Sequence, residues 1–205
     1  MKIEINTQAS IKIIDSKVIY FDPFKVEENK NDATYIFITH DHYDHYDEAS
    51  IKKVISNDTI VVGPKCLESA IKKITNKFLI VEPNQEYEFN DITFKTIPAY
   101  NINKPYHPKE KGYVGYLLTS DNIVYYVMGD TDVTSEIENL QADICFVPIG
   151  GTYTMDKDEA VVYINKLQPK RTIPIHYGSI VGDISLGQNF KKEINKEIEV
   201  NLLLK

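Results

Sequence analysis

Three apolar runs in this chain close on residues that bind metals, and that recurrence constrains the fold more than any other feature. Tyr35-Ile36-Phe37-Ile38-Thr39 leads into His40-Asp41-His42-Tyr43-Asp44-His45. Ile123-Val124-Tyr125-Tyr126-Val127-Met128 leads into Gly129-Asp130-Thr131-Asp132, and Arg171-Thr172-Ile173-Pro174-Ile175 into His176-Tyr177-Gly178. Runs of this length, rich in β-branched and aromatic residues, predict strands. In sheets covered by helices, ligands and catalytic groups gather beyond the carboxyl ends of the strands, so three such ends imply a shared pocket. Neutral imidazole and carboxylate are the usual nitrogen and oxygen ligands of zinc and similar borderline metals. The plain alternative, a solvated turn rich in His and Asp, accounts for the first cluster but not for its recurrence.

The rest of the chain alternates between strand and helix. Lys2 to Asn6, Ser10 to Ile14 and Val18 to Phe21 pattern as strands, with Asp15-Ser16-Lys17 as a hairpin connection. Asp47 caps a helix carrying Ile51, Val54 and Ile55, Thr59 to Val62 is a strand, and Gly63-Pro64 opens a second helix through Ile71 and Ile74. Strands follow at Phe78 to Val81, Ile92 to Ile97, Val114 to Leu118 and Ile123 to Met128, the last two joined across Ser120-Asp121-Asn122. The last third runs strand Ile144 to Ile149, helix Asp156 to Leu167, strand Thr172 to Ile175, a helix near Phe190 to Ile194 and strand Ile198 to Leu203. This order predicts an α/β protein with helices packed outside sheet, while the strand-rich opening argues against a purely parallel, doubly wound sheet.

Size and charge narrow the partners. A chain of 205 residues, 42% apolar, suits a single domain over residues 1–205. Thirty acidic against 23 basic side chains give a formal charge of -7, which excludes a general attraction to nucleic acid or anionic lipid. No apolar run nears membrane-spanning length, and the start lacks the apolar core of a signal peptide. Cys66 and Cys145 form no CxxC pair and predict ordinary buried thiols in a reducing cytoplasm. The expected partner is a small-molecule substrate, with neither nucleic acid nor membrane; homo-oligomerisation stays open.

Thr39-His40-Asp41-His42-Tyr43-Asp44-His45, Gly129-Asp130-Thr131 and Pro174-Ile175-His176-Tyr177-Gly178 together resemble, in order and spacing, the metallo-β-lactamase-fold hydrolases. The likeness covers nearly the whole chain and is strongest to the branch that includes ascorbate-6-phosphate lactonase and the N-acyl-phosphatidylethanolamine phospholipase. It implies an αββα sandwich of two mixed β-sheets with helices on the outer faces. It also implies a metal pair, up to two zinc ions per chain, with manganese or iron as alternatives. Carried over by position, His40 and His42 match first-metal ligands, Asp44 and His45 second-metal ligands, Asp130 the bridging carboxylate, and His176 the residue completing the second site. The family's third first-site histidine falls on Asn101, and an amide oxygen is a weaker ligand than imidazole. The first site is then looser, occupied through an added water, or empty, with His107 either a replacement or a plain loop histidine.

The implied reaction is hydrolysis of an ester, lactone or phosphoester bond by metal-activated hydroxide, with Asp44 and Asp130 as the catalytic carboxylates. Asn101, His107, Lys109, Tyr153 and Tyr177 are the candidate substrate contacts, and Asp41 and Asp132 the candidates to hold imidazole tautomers. Lys104, Lys109, Lys111 and His107 make the stretch from Asn101 to Gly112 locally basic, which points to an anionic substrate unless these are ordinary solvated lysines. A histidine at 42, where oxygen-reducing di-iron relatives carry Glu, favours zinc-type hydrolysis. The rival reading is a non-catalytic metal-binding or sensor protein that keeps the fold, with an incomplete first site at Asn101. A second rival is a one-metal redox or lyase-type enzyme.

Overall fold

The computed structural model describes residues 1–204 and divides into two compact units, Met1–Glu82 and a second from Pro83 onward. Each unit is built on one mixed sheet.

The first unit carries six strands in sequential order: β1 (Lys2–Ile5), β2 (Ile11–Ile14), β3 (Val18–Phe21), β4 (Tyr35–Phe37), β5 (Ile60–Pro64) and β6 (Phe78–Val81). β1, β2 and β3 form an antiparallel meander, tightened by the Asp15 N–H donating to the Lys17 carbonyl at 2.9 Å. From β3 to β6 the pairing turns parallel, which requires crossovers. Helices α1 (Glu48–Val54) and α2 (Glu68–Ile74) supply two of them. Parallel strands are covered on both faces, and all three residues of β4 are buried. Ile36 and Ile38 pack with Ile51, Val54, Val61 and Ile71 into one apolar cluster. Asp47 caps α1 as its sequence position predicts, accepting from the Ala49 N–H at 3.1 Å. Gly63 and Pro64, expected to open the second helix, instead complete β5; a 3-10 turn, Lys65–Leu67, intervenes and leaves Cys66 exposed rather than buried.

The second unit orders seven strands as 13-12-11-10-9-8-7. β7 (Glu86–Phe89), β8 (Ile92–Pro98), β9 (Val114–Ser120) and β10 (Ile123–Val127) are antiparallel hairpin neighbours. Asp121 and Asn122, at φ of 50° and 63°, provide the paired left-handed residues that match a tight hairpin to strand twist. β10, β11 (Ile144–Pro148), β12 (Arg171–Ile175) and β13 (Glu199–Val200) then run parallel, with α3 (Lys157–Leu167) between β11 and β12 and α4 (Ser185–Glu193) between β12 and β13. Tyr126, Cys145, Val147, Tyr163, Ile164 and Phe190 belong to the core of this unit.

β13 is shorter than the predicted strand Ile198 to Leu203. Thr172 accepts from the Asn201 N–H at 3.1 Å, and the next residue of β12 facing that side is Pro174. Proline has no N–H to donate, so the ladder ends there. Leu202 and Leu204 continue alongside as half-buried residues packed on the core. No helix among the described residues is long and apolar enough to cross a membrane.

Candidate metal centre

In the first unit the chain leaves β4 buried and turns at once. The His42 carbonyl accepts from the N–H groups of His45 at 3.0 Å and Tyr46 at 2.8 Å, folding residues 42–46 into a tight turn. That turn packs the imidazoles together: the His40 ring centroid lies 4.7 Å from that of His42 and 4.0 Å from that of His45. His40, Asp44 and His45 are buried, His42 is half-buried, and Asp41 and Tyr43 are exposed.

Beneath this turn sits Asp22, the residue that follows β3. Its carboxylate accepts from the Thr39 N–H at 2.8 Å, the Thr39 hydroxyl at 2.6 Å and Nδ1 of His45 at 2.7 Å. A carboxylate accepts only, so His45 must carry its proton on Nδ1. The single Thr39 hydroxyl hydrogen is likewise committed to Asp22, so Thr39 Oγ1, 2.9 Å from Nδ1 of His40, accepts from that ring. In the neutral rings both lone pairs therefore reside on Nε2, the state required of a metal-binding imidazole. Nε2 of His45 lies 3.6 Å from Oδ2 of Asp44, which accepts from Nε2 of Gln8 at 3.4 Å. Burial raises the Asp22 carboxyl above its ordinary value, against the opposing pull of His45 and Thr39.

The second unit gathers its own donors at the ends of β10 and β12. Nε2 of His176 and Nε2 of His107 approach the same oxygen, Oδ2 of Asp130, at 3.1 Å and 3.3 Å. All three residues are buried. His107, expected as either a replacement ligand or a solvent-facing loop residue, is thus turned inward. Nδ1 of His107 lies 3.0 Å from Oδ1 of Asn101, whose own N–H donates to the His107 carbonyl at 3.0 Å. Asp22, His107 and His176 all take left-handed backbone angles, with φ of 44°, 48° and 58°. Asp and His tolerate that region better than most residues, and strained backbone concentrates at functional sites.

The remaining candidates fall elsewhere. Among the described residues Asp132 bonds to no imidazole; its carboxylate accepts from the Ile102 N–H at 2.9 Å and from Nδ2 of Asn101 at 3.2 Å, and pairs with Lys104. Lys109 reaches Glu136 at 2.5 Å and lies over the Tyr100 ring, so its charge is neutralised within the fold. That contact holds the Glu136 carboxyl down at about 2. Tyr177 turns into the core, where Gly187 of α4 makes room for it: a Cβ at 187 would lie 2.3 Å from the tyrosine hydroxyl. Tyr153 is half-buried, with the Tyr106 ring edge-on at 4.6 Å. Asp22 is the residue that sequence reasoning missed. Its signal was the same one that marked the other sites, a carboxylate directly after an apolar strand, here Val18–Phe21.

The chain matches the β-lactamase superfamily domain over residues 6–176. It is 34% identical to the UPF0173 protein of Pyrococcus abyssi over 183 residues, covering 87% of this chain and 82% of that one. It is 30% identical to the UPF0173 metal-dependent hydrolase of Staphylococcus carnosus, covering 98% and 96% respectively. Among solved structures, a Parabacteroides distasonis protein named as a metal-dependent hydrolase aligns with a TM-score of 0.81 at 28% identity, over 99% of this chain and 93% of that one. Igni18, a metallo hydrolase from Ignicoccus hospitalis, shares the fold with a TM-score of 0.77 at 17% identity, over 98% and 94%. Two mixed sheets with helices, donors at their strand ends and these likenesses agree: the chain has the metallo-β-lactamase fold and belongs to the β-lactamase superfamily, within its UPF0173 family.

Proposed function

We propose that this protein is a metal-dependent hydrolase acting on an ester, lactone or phosphoester bond of a small substrate. The observation that carries the reading is the Asp22 relay. Through Thr39 and directly, Asp22 keeps protons on Nδ1 of His40 and His45, so both rings present Nε2 as a donor atom. A buried, mixed imidazole and carboxylate set suits zinc, up to two ions per chain. By their match to the family's ligand positions, His40, His42, Asp44, His45, Asp130 and His176 would hold them. The family match runs through both units, which supports a single functional domain.

A bound divalent cation supplies Lewis acidity, bringing the pKa of water from about 15.7 toward roughly 7 and polarising the scissile carbonyl or phosphoryl group. The protein's own part is to hold charge and protons in place. Asp44 and Asp130 provide carboxylates that orient the attacking water and accept its hydrogen bond. Asp22 prevents the imidazoles from changing tautomer. Tyr153 and the loop after β8 offer contacts to the rest of the substrate. Lys104 and Lys109 are already paired with Asp132 and Glu136, so they give no support to a preference for anionic substrates. The formal charge of -7 is consistent with a small-molecule substrate rather than nucleic acid, and a reducing cytoplasm suits a chain whose two cysteines form no CxxC pair.

The test is metal content per chain in protein purified without chelator, alongside turnover of an aryl ester, a lactone and a phosphodiester. Metal in the wild type, its loss in Asp130→Ala and chelator-sensitive turnover of one class support the reading. Metal without turnover of any class favours the non-catalytic binding protein, and absence of both overturns the proposal.

A further inference from the structure

Four buried side chains of the second unit form a line that fixes the direction of one imidazole. It starts at Asp132, whose carboxylate only accepts hydrogen bonds. An amide facing it must present nitrogen, and Nδ2 of Asn101 stands 3.2 Å from Oδ1 of Asp132. The amide oxygen is thereby turned the other way, where Nδ1 of His107 lies at 3.0 Å. A carbonyl oxygen also only accepts, so Nδ1 of His107 carries a hydrogen. The neutral ring then has its lone pair on Nε2, and Nε2 points at Oδ2 of Asp130 from 3.3 Å. A lone pair aimed at a carboxylate oxygen repels it unless a cation joins the two, either a second proton on the ring or a metal ion. Nε2 of His176 approaches the same oxygen, at 3.1 Å.

The same logic operates in the first unit, where Asp22 acts on His40 through Thr39 as Asp132 acts on His107 through Asn101. The main chain reinforces it: Asn101 N–H to His107 carbonyl closes the loop 101–107, and Asp132 N–H donates to the Tyr100 carbonyl at 3.0 Å.

We infer that His107 is a metal ligand through Nε2, and that Asn101 is its positioning residue rather than a ligand or a substrate contact. This rests on the metal-dependent reading above. It replaces the expectation of a weakened site at Asn101 with a complete one, whose third imidazole comes from six residues further along the loop.

The wild-type protein itself provides the test, because it contains only five histidines. Long-range proton–nitrogen spectra of histidine-labelled protein report which nitrogen of each ring is protonated and which binds metal. Titrating the metal-free protein with zinc should move His107 Nε2 to the metal-bound range while Nδ1 stays protonated. His107→Ala should bind one zinc at least about 100-fold more weakly, and Asn101→Ala about 10- to 100-fold more weakly with His107 now in mixed tautomers, the usual effect of removing an outer partner. If the other imidazoles respond to zinc and His107 Nε2 does not, this inference fails while the hydrolase reading stands. If no imidazole responds and no zinc is retained, the hydrolase reading falls and takes the inference with it. Unchanged tautomer and affinity in Asn101→Ala would remove the positioning role alone.

Discussion

Nδ1 of His45 donates to Oδ2 of Asp22 across 2.7 Å, between residues 23 positions apart in the chain. In Asp22→Asn the amide cannot accept all three donors that the carboxylate does, so one of Thr39 N–H, Thr39 hydroxyl and His45 Nδ1 loses its acceptor. A buried donor left unsatisfied costs about 1–3 kcal/mol, and loss of an outer partner weakens metal binding about 10- to 100-fold. Thermal melts and zinc titrations of the variant should show both effects, with the affinity loss persisting at temperatures where the variant is fully folded.

Gly150 is packed against the donor at the end of β12. A Cβ there would lie 2.3 Å from the His176 carbonyl oxygen and 3.4 Å from its Nδ1. Gly150→Ala must therefore displace the His176 backbone, and metal content should fall although no donor has been removed. Retention of wild-type metal content would show that the backbone yields elsewhere.

The Lys109–Glu136 contact ties the loop after β8 to the segment following Asp132, and Tyr100 adds a hydroxyl donor to Glu136 at 2.9 Å. Lys109 is the main reason the Glu136 carboxyl sits at about 2 rather than 4.5. A depressed pKa stabilises the fold above the unfolded-state value and loses that contribution as pH falls toward the folded-state one. Stability should therefore decline through Glu136 between about pH 4.5 and 2, and Glu136→Gln should flatten that part of the melting-temperature profile. An unaltered slope in the variant would assign the acid sensitivity to other carboxylates.

Asp156 and Glu159 form a reciprocal cap at the start of α3, each side chain accepting from the other's N–H at 2.8 Å. Asp156→Ala should cost about 1 kcal/mol, seen as a lower denaturation midpoint with an unchanged slope. Asp156→Asn should recover most of the loss, since an amide oxygen also caps.

Much of the proposed donor set can be read from the sequence because it is written locally. His40, His42, Asp44 and His45 share one turn, and Asp130 and His176 each follow an apolar strand, so neighbouring letters carry both position and chemistry. What hid were the atoms that orient those donors. Asp22 reaches His45 and Asn101 reaches Asp132 across 23 and 31 residues, and such contacts arise only once strands are stacked side by side. The two-sheet layering was carried by resemblance, not by periodicity. Glu86-Tyr87-Glu88-Phe89 escaped notice as β7 because an edge strand with charges on alternate residues looks like a loop until Asn90, at φ 54°, turns it onto β8. Tyr177 misled in the opposite sense: it directly follows His176, yet its ring fills the space above Gly187.

The rung missing at Pro174 also divides the edge of the second sheet by the way it is fastened. Up to Asn201 the chain is stitched to β12 by its backbone; beyond, no further backbone hydrogen bond to β12 is formed among the described residues, and Leu202 and Leu204 pack on the apolar core. A stretch secured only by side chains frays at little cost, and its amides should exchange with solvent early. The β11–β12 ladder on the other flank keeps its register through Ile175 and does not share in that fraying. His176 is thereby insulated from the loosest margin of the sheet.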